Sequence, residues 1–319
     1  MRAVWLEEFG GPEVLKLGAA PEPEPKPGEV LVEVAFVNVV FVETQFRSGH
    51  FPNPAMRDVA LPVVPGNGVG GVVSGLGPGT DPALLGTTVV TSTGGSGAYA
   101  ERVAVPADGV LEVPQGVALD TAVALLADGR TAFGLFWAAG IGAGDRVLVE
   151  AAGGGVGSLL VQLAKSAGAQ VIAAAGSAAK LAQAEELGAD ETVDYSQPSW
   201  AERVGSADVV FDGVGGRIGE ESFAIVARGG RFLVHGAASG EMSSPDPEEA
   251  ARRDIRVVPL GDVLSEPGAV RKAAEAALAE AAAGRLRPVI GQRFPLAKAS
   301  DAHAAIEART ALGKTLLVP

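Results

Sequence analysis

The sequence predicts an α/β protein in which a doubly wound parallel sheet is joined to a mostly antiparallel β domain. Two observations support this fold class. From about Leu119 onward, apolar strand candidates alternate with helical patterns, and six such strands with crossovers form a doubly wound sheet. Before residue 110, short β-rich runs such as 30–37 and 69–73 are divided by glycine and proline, which is typical of a compact antiparallel domain.

The six strand candidates of the parallel sheet are short runs rich in apolar residues. They lie at 147–150, 170–174, 192–193, 208–211, 231–234 and 255–259. A long Ala/Glu helix is expected at 265–283, ending before Gly284. The tail from Pro288 returns to strand, helix and strand, and this piece is too small to form a core alone. We therefore expect it to join another core.

Composition excludes several classes of function. The 319 residues are 47% hydrophobic and 20% charged, enough for two packed cores. A formal charge of -13 argues against a nucleic-acid surface and against docking on anionic lipid. The absence of cysteine excludes disulfides, thiolate zinc sites and cysteine nucleophiles. Without a signal-peptide pattern or an apolar run of roughly 18 residues, we expect a cytoplasmic protein with a small-molecule partner.

A glycine turn stands between the first strand of the parallel sheet and the next helix. An apolar run at 147–149 is broken by the turn at 153–157, and leucines then recur at helical spacing. Against the pattern G-x-G-x-x-G, the register places Ala152, Gly154 and Gly157 at the three positions, so the first is relaxed to alanine. Glycine allows backbone to approach a pyrophosphate and the helix to approach the strand. Tight packing without a ligand remains the alternative for so short a motif.

Short motifs along the whole chain carry a family resemblance. They include Arg47-Ser-Gly49, Pro65-Gly66, Gly97-Ala-Tyr-Ala-Glu101, Thr131-Ala132, Ala151-Ala-Gly-Gly-Gly-Val-Gly157, Val161-Gln-Leu-Ala-Lys165, Val210-Phe-Asp212, Gly236-Ala-Ala-Ser-Gly240 and Gly313-Lys314. The sequence resembles the zinc-free medium-chain dehydrogenases/reductases, and among them the NADPH:quinone oxidoreductases of the zeta-crystallin type.

The resemblance implies a Rossmann domain inserted into a GroES-like catalytic β domain. The catalytic domain would comprise residues 1–122 and 288–319, and the NADPH-binding domain residues 123–287. The active site would lie in the cleft between them. Relatives of this type are often dimers through the edge of the Rossmann sheet, so a homodimer is expected.

The end of the second parallel strand indicates the cofactor. An NAD-preferring domain carries an acid there to bind the ribose, whereas this strand ends at Ala175, followed by Gly176 and Ser177. Lys180 lies one helical turn further on and could meet a 2′-phosphate, although a solvated lysine is the alternative. NADPH is therefore the predicted cofactor. Tyr195 matches a tyrosine beside the adenosine phosphate in the family, and ordinary packing is its alternative.

The resemblance assigns further residues to the cofactor. The pyrophosphate turn comprises Gly153, Gly154, Gly155, Val156 and Gly157, and the remaining expected contacts are Gly236, Ala237, Ala238 and Lys314. Asn38, a polar break in an apolar run, and Thr131 match residues near the nicotinamide and are the predicted catalytic residues. Their alternatives are a structural polar group and helix-interior packing.

The chemistry is expected to proceed without a metal. The histidines His50, His235 and His303 fall in different segments, and the zinc-histidine place of the family holds Asn67, followed by Gly68. Without a Lewis acid, hydride transfer from NADPH suits an acceptor that delocalises the developing negative charge, such as a quinone or a conjugated enone.

The substrate pocket departs most from the family. Val39-Val40 looks like a two-residue insertion, and Gln45 and Phe51 stand where quinone reductases often carry tyrosines. His50 could donate a proton, but a surface-loop histidine is the favoured interpretation. NADPH-dependent quinone reduction is the leading hypothesis; its alternatives are an enone or 2-enoyl-thioester reductase and a non-catalytic NADPH-binding protein.

Overall fold

A computed structural model describes residues 1–50 and 59–319, which form two compact units. Unit 1 comprises residues 1–127 and 278–319, and unit 2 comprises residues 128–277. The sequence-based boundaries were 123 and 287. Both observed boundaries fall inside continuous helices, because Leu119–Ala139 and Ala269–Ala282 each contribute to both units. A change in the pattern of apolar residues shows where such a helix begins or where a strand follows it. It does not show where within the helix one compact unit ends.

Unit 1 is built on a mainly antiparallel sheet and a two-stranded hairpin. Its strands are β1 (Arg2–Leu6), β2 (Leu15–Ala19), β3 (Glu29–Val39), β4 (Gly68–Leu76), β5 (Thr88–Ser92), β6 (Arg102–Pro106), β7 (Leu111–Glu112), β14 (Gln292–Pro295) and β15 (Thr315–Val318). The strand order in the larger sheet is β14-β15-β3-β4-β5-β7, with β6 also paired to β3. The tail strand β15 pairs antiparallel with β3, so the two ends of the chain share one core, as the sequence predicted.

Helices cover the sheet of unit 1. They are α1 (Phe41–Ser48), α9 (Ala299–Glu307) and the first part of α2 (Leu119–Ala139). Val30, Val32 and Val37 of β3 are fully buried in this core. Val30 and Val32 follow the alternation of a strand, and an irregularity between Val34 and Phe36 shifts the register so that Val37 is buried as well.

Unit 2 is a parallel sheet with helices between its strands. Its strands are β8 (Arg146–Val149), β9 (Gln170–Ala175), β10 (Glu191–Asp194), β11 (Ala207–Asp212), β12 (Val226–Val234) and β13 (Arg256–Pro259). Its helices are α3 (Gly155–Ser166), α4 (Ala178–Glu186), α5 (Trp200–Val204), α6 (Gly216–Ala224), α7 (Pro247–Arg252) and the first part of α8 (Ala269–Ala282). The order β10-β9-β8-β11-β12-β13 reverses direction between β8 and β11, which is where doubly wound sheets bind ligands.

The predicted fold class is confirmed, and two element boundaries were wrong. β12 begins at Val226 and not at 231, because Gly229 and Gly230 lie in an irregularity of the strand and not in a turn before it. α8 begins at Ala269 and not at 265, because Pro267-Gly268 precedes its first turn. One described helix, α2, is long and apolar enough to span a membrane by composition. Since 67% of its apolar window is buried inside the molecule, core packing accounts for that composition.

Candidate functional site

The glycine turn connects β8 to α3 at the edge of the sheet where ligands are expected. Gly154 is the N-cap of α3, and the first helical hydrogen bond runs from Ser158 N to Gly154 O, at 3.0 Å. The N–H groups of Gly155, Val156 and Gly157 therefore have no acceptor within the helix. Such N–H groups, together with the helix dipole, favour an anion.

Two glycines of the turn have different local environments. A Cβ added at Gly157 would lie 2.4 Å from the carbonyl oxygen of Ala151 and 2.9 Å from Ala152 Cα, so the first turn of α3 packs too closely on the backbone after β8 for any side chain. A Cβ added at Gly154 would meet only Ala151 O within 4 Å, at 3.2 Å. The backbone at Gly154 is thus open to a ligand. Ala151 adopts a φ of 48°, a conformation that costs a residue with a side chain about 1 kcal/mol.

Residues from the next two loops lie beside this turn. A Cβ added at Gly153 would lie 2.5 Å from Lys180 Cγ, so the Lys180 side chain passes directly over the turn. Ser177 is the N-cap of α4, and its hydroxyl makes no capping hydrogen bond. The ring of Tyr195 lies against Gly176, 3.0 Å from where a Cβ would stand. The predicted phosphate residues on three successive loops therefore come together at one edge of the sheet.

The strand β9 ends without an acid. Ala175, its last residue, is fully buried. A carboxylate for a ribose is absent at this position, which is the sequence feature that predicted NADPH.

The loops after β11 and β12 pack against each other. A Cβ at Gly236 would lie 2.3 Å from Gly213 O, so the two backbones touch. Ala237 and Ala238, the predicted cofactor contacts that follow, are half-buried. Asp212, the last residue of β11, orders its loop through Oδ1, which accepts hydrogen bonds from Val214 N at 3.0 Å and Gly215 N at 2.7 Å.

Two fully buried carboxyl groups lie beneath the turn, and sequence reasoning assigned them no role. Glu150 follows β8 and Asp212 ends β11, and both are 0% exposed. Burial raises the pKa of Glu150 well above its usual range, and repulsion from Asp212 raises it further. A signal was present in the sequence, since Glu150 is a charged residue at the end of an apolar strand and directly before the turn.

The predicted catalytic residues lie in different units. Asn38, in β3 of unit 1, is 2% exposed, and its Oδ1 has no hydrogen-bond partner in the described chain. A buried unpaired amide oxygen is costly and points to a missing partner. Thr131 lies half-buried in the part of α2 that belongs to unit 2.

Lys314 is buried in unit 1, with 3% of its surface exposed. It lies near enough to Glu43 to lower the pKa of that carboxyl. Its backbone N–H donates to Val289 O at 2.7 Å. The role of Lys314 at the cofactor stays a prediction.

A buried polar network surrounds Glu43 in helix α1. Glu43 Oε2 accepts hydrogen bonds from Val40 N and from the Tyr99 hydroxyl, both at 3.0 Å, and Oε1 accepts from Asn67 N at 2.9 Å. The Tyr99 hydroxyl also lies 2.8 Å from His303 Nε2. Burial raises the pKa of Glu43 to about 7, although these hydrogen bonds and Lys314 oppose the increase.

The place of the family's zinc histidine is filled by an amide. Asn67 Oδ1 accepts hydrogen bonds from Ser92 Oγ at 2.8 Å and from Gly95 N at 2.7 Å, so its side chain orders the loop after β5. Within residues 1–50 and 59–319, no three His, Asp or Glu side chains are grouped as metal ligands would be. His50 is exposed, and Phe51 lies outside the described residues.

Known proteins match the chain over its whole length. Two family models match it, an alcohol dehydrogenase GroES-like domain over residues 26–115 and a zinc-binding dehydrogenase over residues 187–317. A quinone oxidoreductase of Pseudomonas aeruginosa is 32% identical over 328 aligned residues, which cover 100% of this chain and 99% of the relative.

Two solved structures with NADPH are also similar. Escherichia coli quinone oxidoreductase in complex with NADPH has a TM-score of 0.90 at 27% identity, covering 100% of both chains. A mycobacterial protein in complex with NADPH has a TM-score of 0.89 at 33% identity, again covering 100% of both chains.

The GroES-like match and the doubly wound sheet with its glycine turn define the class of protein, the medium-chain dehydrogenases/reductases. With 32% identity over the full chain, the protein belongs to the quinone oxidoreductase family of that class. The resemblance inferred from the sequence is thereby confirmed.

Proposed function

We propose that the protein is an NADPH-dependent oxidoreductase that reduces quinones without a metal. The observation that carries the proposal is the position of Lys180, whose side chain passes over Gly153 of the anion-binding turn. Since β9 ends at Ala175 without an acid, a 2′-phosphate would meet a cation and no opposing carboxylate. The names of the similar proteins, quinone oxidoreductases and structures with NADPH, support the same function.

The residues of the turn fit a dinucleotide. The free N–H groups of Gly155, Val156 and Gly157 would bind the pyrophosphate, and the open backbone at Gly154 would let it approach. Ser177 and Lys180 would bind the 2′-phosphate, with Tyr195 over the neighbouring Gly176. Ala175 and Gly176 would leave room for the ribose, and the loop of Gly236, Ala237 and Ala238 would border the cofactor.

The remaining site residues would position the reacting groups. When bound, NADPH supplies a hydride to the acceptor, which takes a proton from water or a hydroxyl. We propose that the unpaired Oδ1 of Asn38 accepts a hydrogen bond from the ligand, and that Thr131 orients the nicotinamide. Lys314, though buried, is retained as a proposed cofactor residue.

A quinone suits a site without a Lewis acid. Zinc relatives polarise a carbonyl with the metal, but this chain has no cysteine, and Asn67 replaces the histidine ligand. The acceptor must therefore delocalise the developing charge itself, as a quinone does. We also propose that the protein is cytoplasmic, forms a homodimer, and has no membrane or nucleic-acid partner. Light scattering of the purified protein would test the dimer.

Cofactor binding to Lys180→Ala tests the proposal. The variant should bind NADPH at least tenfold more weakly and bind NADH almost unchanged, because a charge-assisted hydrogen bond contributes about 1.5–3 kcal/mol. Lys165→Ala is the matched control, since Lys165 is a half-exposed lysine of unit 2 that pairs with Asp190. Equal losses for NADPH and NADH would refute the role of Lys180, and no NADPH binding by the unmodified protein would refute the proposed function.

A further inference from the structure

Within residues 1–50 and 59–319, three buried carboxyl oxygens beneath the glycine turn lack a hydrogen-bond partner of ordinary geometry. Neither oxygen of Glu150 nor Oδ2 of Asp212 makes a hydrogen bond of ordinary geometry in the described part of the chain. Glu150 follows β8 and Asp212 ends the adjacent parallel strand β11, and Glu150 N donates to Phe211 O at 3.1 Å. Both residues are 0% exposed.

The described groups that face this pair provide no compensating cation. From the end of β12, His235 comes close, but burial lowers its pKa to about 4, so it is neutral at physiological pH. Helix α6 contributes the buried Ser222 hydroxyl, and Ser243 Oγ and Gly219 lie against the Asp212 side. Among the described residues, the main causes of the pKa shift of Glu150 include no lysine or arginine. Lys180 lies over Gly153 of the turn.

Two adjacent buried carboxyl groups without a cation cannot both ionise, because repulsion and lost hydration add together. Asp212 is the better site for the charge, since its Oδ1 accepts two backbone N–H bonds. Glu150 is the better site for the proton, because neither of its oxygens accepts a hydrogen bond of ordinary geometry in the described residues. The Ser222 hydroxyl and Val214 N–H come near enough to lower its pKa, but burial and Asp212 raise it more. A protonated Glu150 can donate to Asp212 Oδ2, which satisfies a group that is otherwise unpaired.

We propose that Glu150 is a positioning residue that holds a proton shared with Asp212 beneath the dinucleotide turn, and that binding of the anionic cofactor is coupled to retention of this proton. The inference rests on the proposed function, which places a pyrophosphate at the turn. Glu150 directly precedes Ala151, and the free N–H groups of the turn lie only a few residues further on. Asp128 of α2 already places a carboxyl group against Gly155 of the turn. A further negative charge on Glu150 would oppose the phosphates, so alkaline deprotonation weakens binding and cofactor binding takes up a proton.

Glu150→Gln removes the titrating group while keeping the size of the side chain. The dissociation constant for NADPH is measured from neutral to alkaline pH, with calorimetry in buffers of different ionisation enthalpy to count protons. The unmodified protein should lose up to about tenfold in affinity per pH unit once the pair ionises, with proton uptake on binding. Glu150→Gln should show neither effect, and Glu202→Gln, which alters an exposed carboxylate of unit 2, should show both.

An infrared measurement separates this proposal from the proposed function. In a Glu43→Gln background, which removes the band of Glu43 with its pKa of about 7, a carbonyl band of a protonated carboxylic acid should be present near neutral pH without any cofactor. The band should be absent when Glu150→Gln is added. Asp212→Asn should weaken the band, because Glu150 then faces an amide and no charge. If NADPH does not bind but the band is present, the proposed function fails and the shared proton stands. If NADPH binds with the same pH profile in Glu150→Gln, or if the band is missing, the shared proton is refuted.

Discussion

Each unit of the molecule buries a glutamate, and the two carboxyl groups differ in their hydrogen bonds and in the charges beside them. Glu43 in unit 1 accepts hydrogen bonds from Val40 N, Asn67 N and the Tyr99 hydroxyl. Glu150 in unit 2 accepts none of ordinary geometry in the described residues and faces a second carboxyl, Asp212. The pKa of Glu43 is raised only to about 7, whereas that of Glu150 is raised well above its usual range.

The difference shows that burial alone does not set the state of a carboxyl group. Desolvation is the largest cause of the pKa increase for both residues. Donors that bind the charged form limit the increase at Glu43, and a like charge adds to it at Glu150. Glu43 is therefore expected to stabilise unit 1 through more hydrogen bonds than Glu150 makes in unit 2.

Matched substitutions by leucine test this contrast with the largest expected effect. Glu43→Leu leaves the N–H groups of Val40 and Asn67 without their acceptor and the buried Tyr99 hydroxyl with His303 as its one partner among the described residues, and should lower the free energy of unfolding by roughly 3 kcal/mol. Glu150→Leu removes the one hydrogen bond proposed between Glu150 and Asp212, together with a carboxyl group that must stay protonated, and should lower it by less, about 1–2 kcal/mol. Urea denaturation of both variants measures the difference, and similar losses would show that the partners of Glu43 do not matter.

The pH dependence of stability gives a second test, with a comparable expected change in the free energy of unfolding. The folded-state pKa of Glu43 is raised from 4.5 to about 7, so its contribution is fully present below the unfolded value and is lost as pH rises through about 7. The loss should amount to about 3 kcal/mol. Unfolding free energies of the unmodified protein and Glu43→Gln, compared from acid to neutral pH, should diverge by this amount; parallel curves would contradict the assignment.

Removing the Tyr99 hydroxyl should have the smallest effect on the free energy of unfolding. Tyr99→Phe takes one donor from Glu43 and the partner from His303 Nε2, and should cost about 1–2 kcal/mol. Tyr195→Phe is the matched control, because Tyr195 is the only other tyrosine and is half-buried. Thermal unfolding of the two variants compares them directly. A loss as small for Tyr99→Phe as for the control would mean that the network is not stabilising.

The two buried carboxyl groups also show what a sequence can reveal. The turn at 153–157 was predictable because strand, glycines and helix are adjacent in the chain and local spacing determines their geometry. The partners Glu43, Tyr99 and His303 were not predictable, since Tyr99 lies 56 residues from Glu43 and 204 from His303. Only the packing of α9 and the tail strand into unit 1 brings them together. Glu150 is an intermediate case. Its position directly before the turn could be read from the sequence, but its contact with Asp212 could not be predicted.

Turnover of a quinone by metal-free protein tests the central claim most directly. The protein is treated with a chelator, and loss of reduced-nicotinamide absorbance is followed with NADPH or NADH, against quinones, enones and enoyl thioesters. Metal-independent oxidation of NADPH by quinones, faster than that of NADH, is the predicted result. No turnover of NADPH with any quinone, or turnover restored only by added zinc, would contradict it.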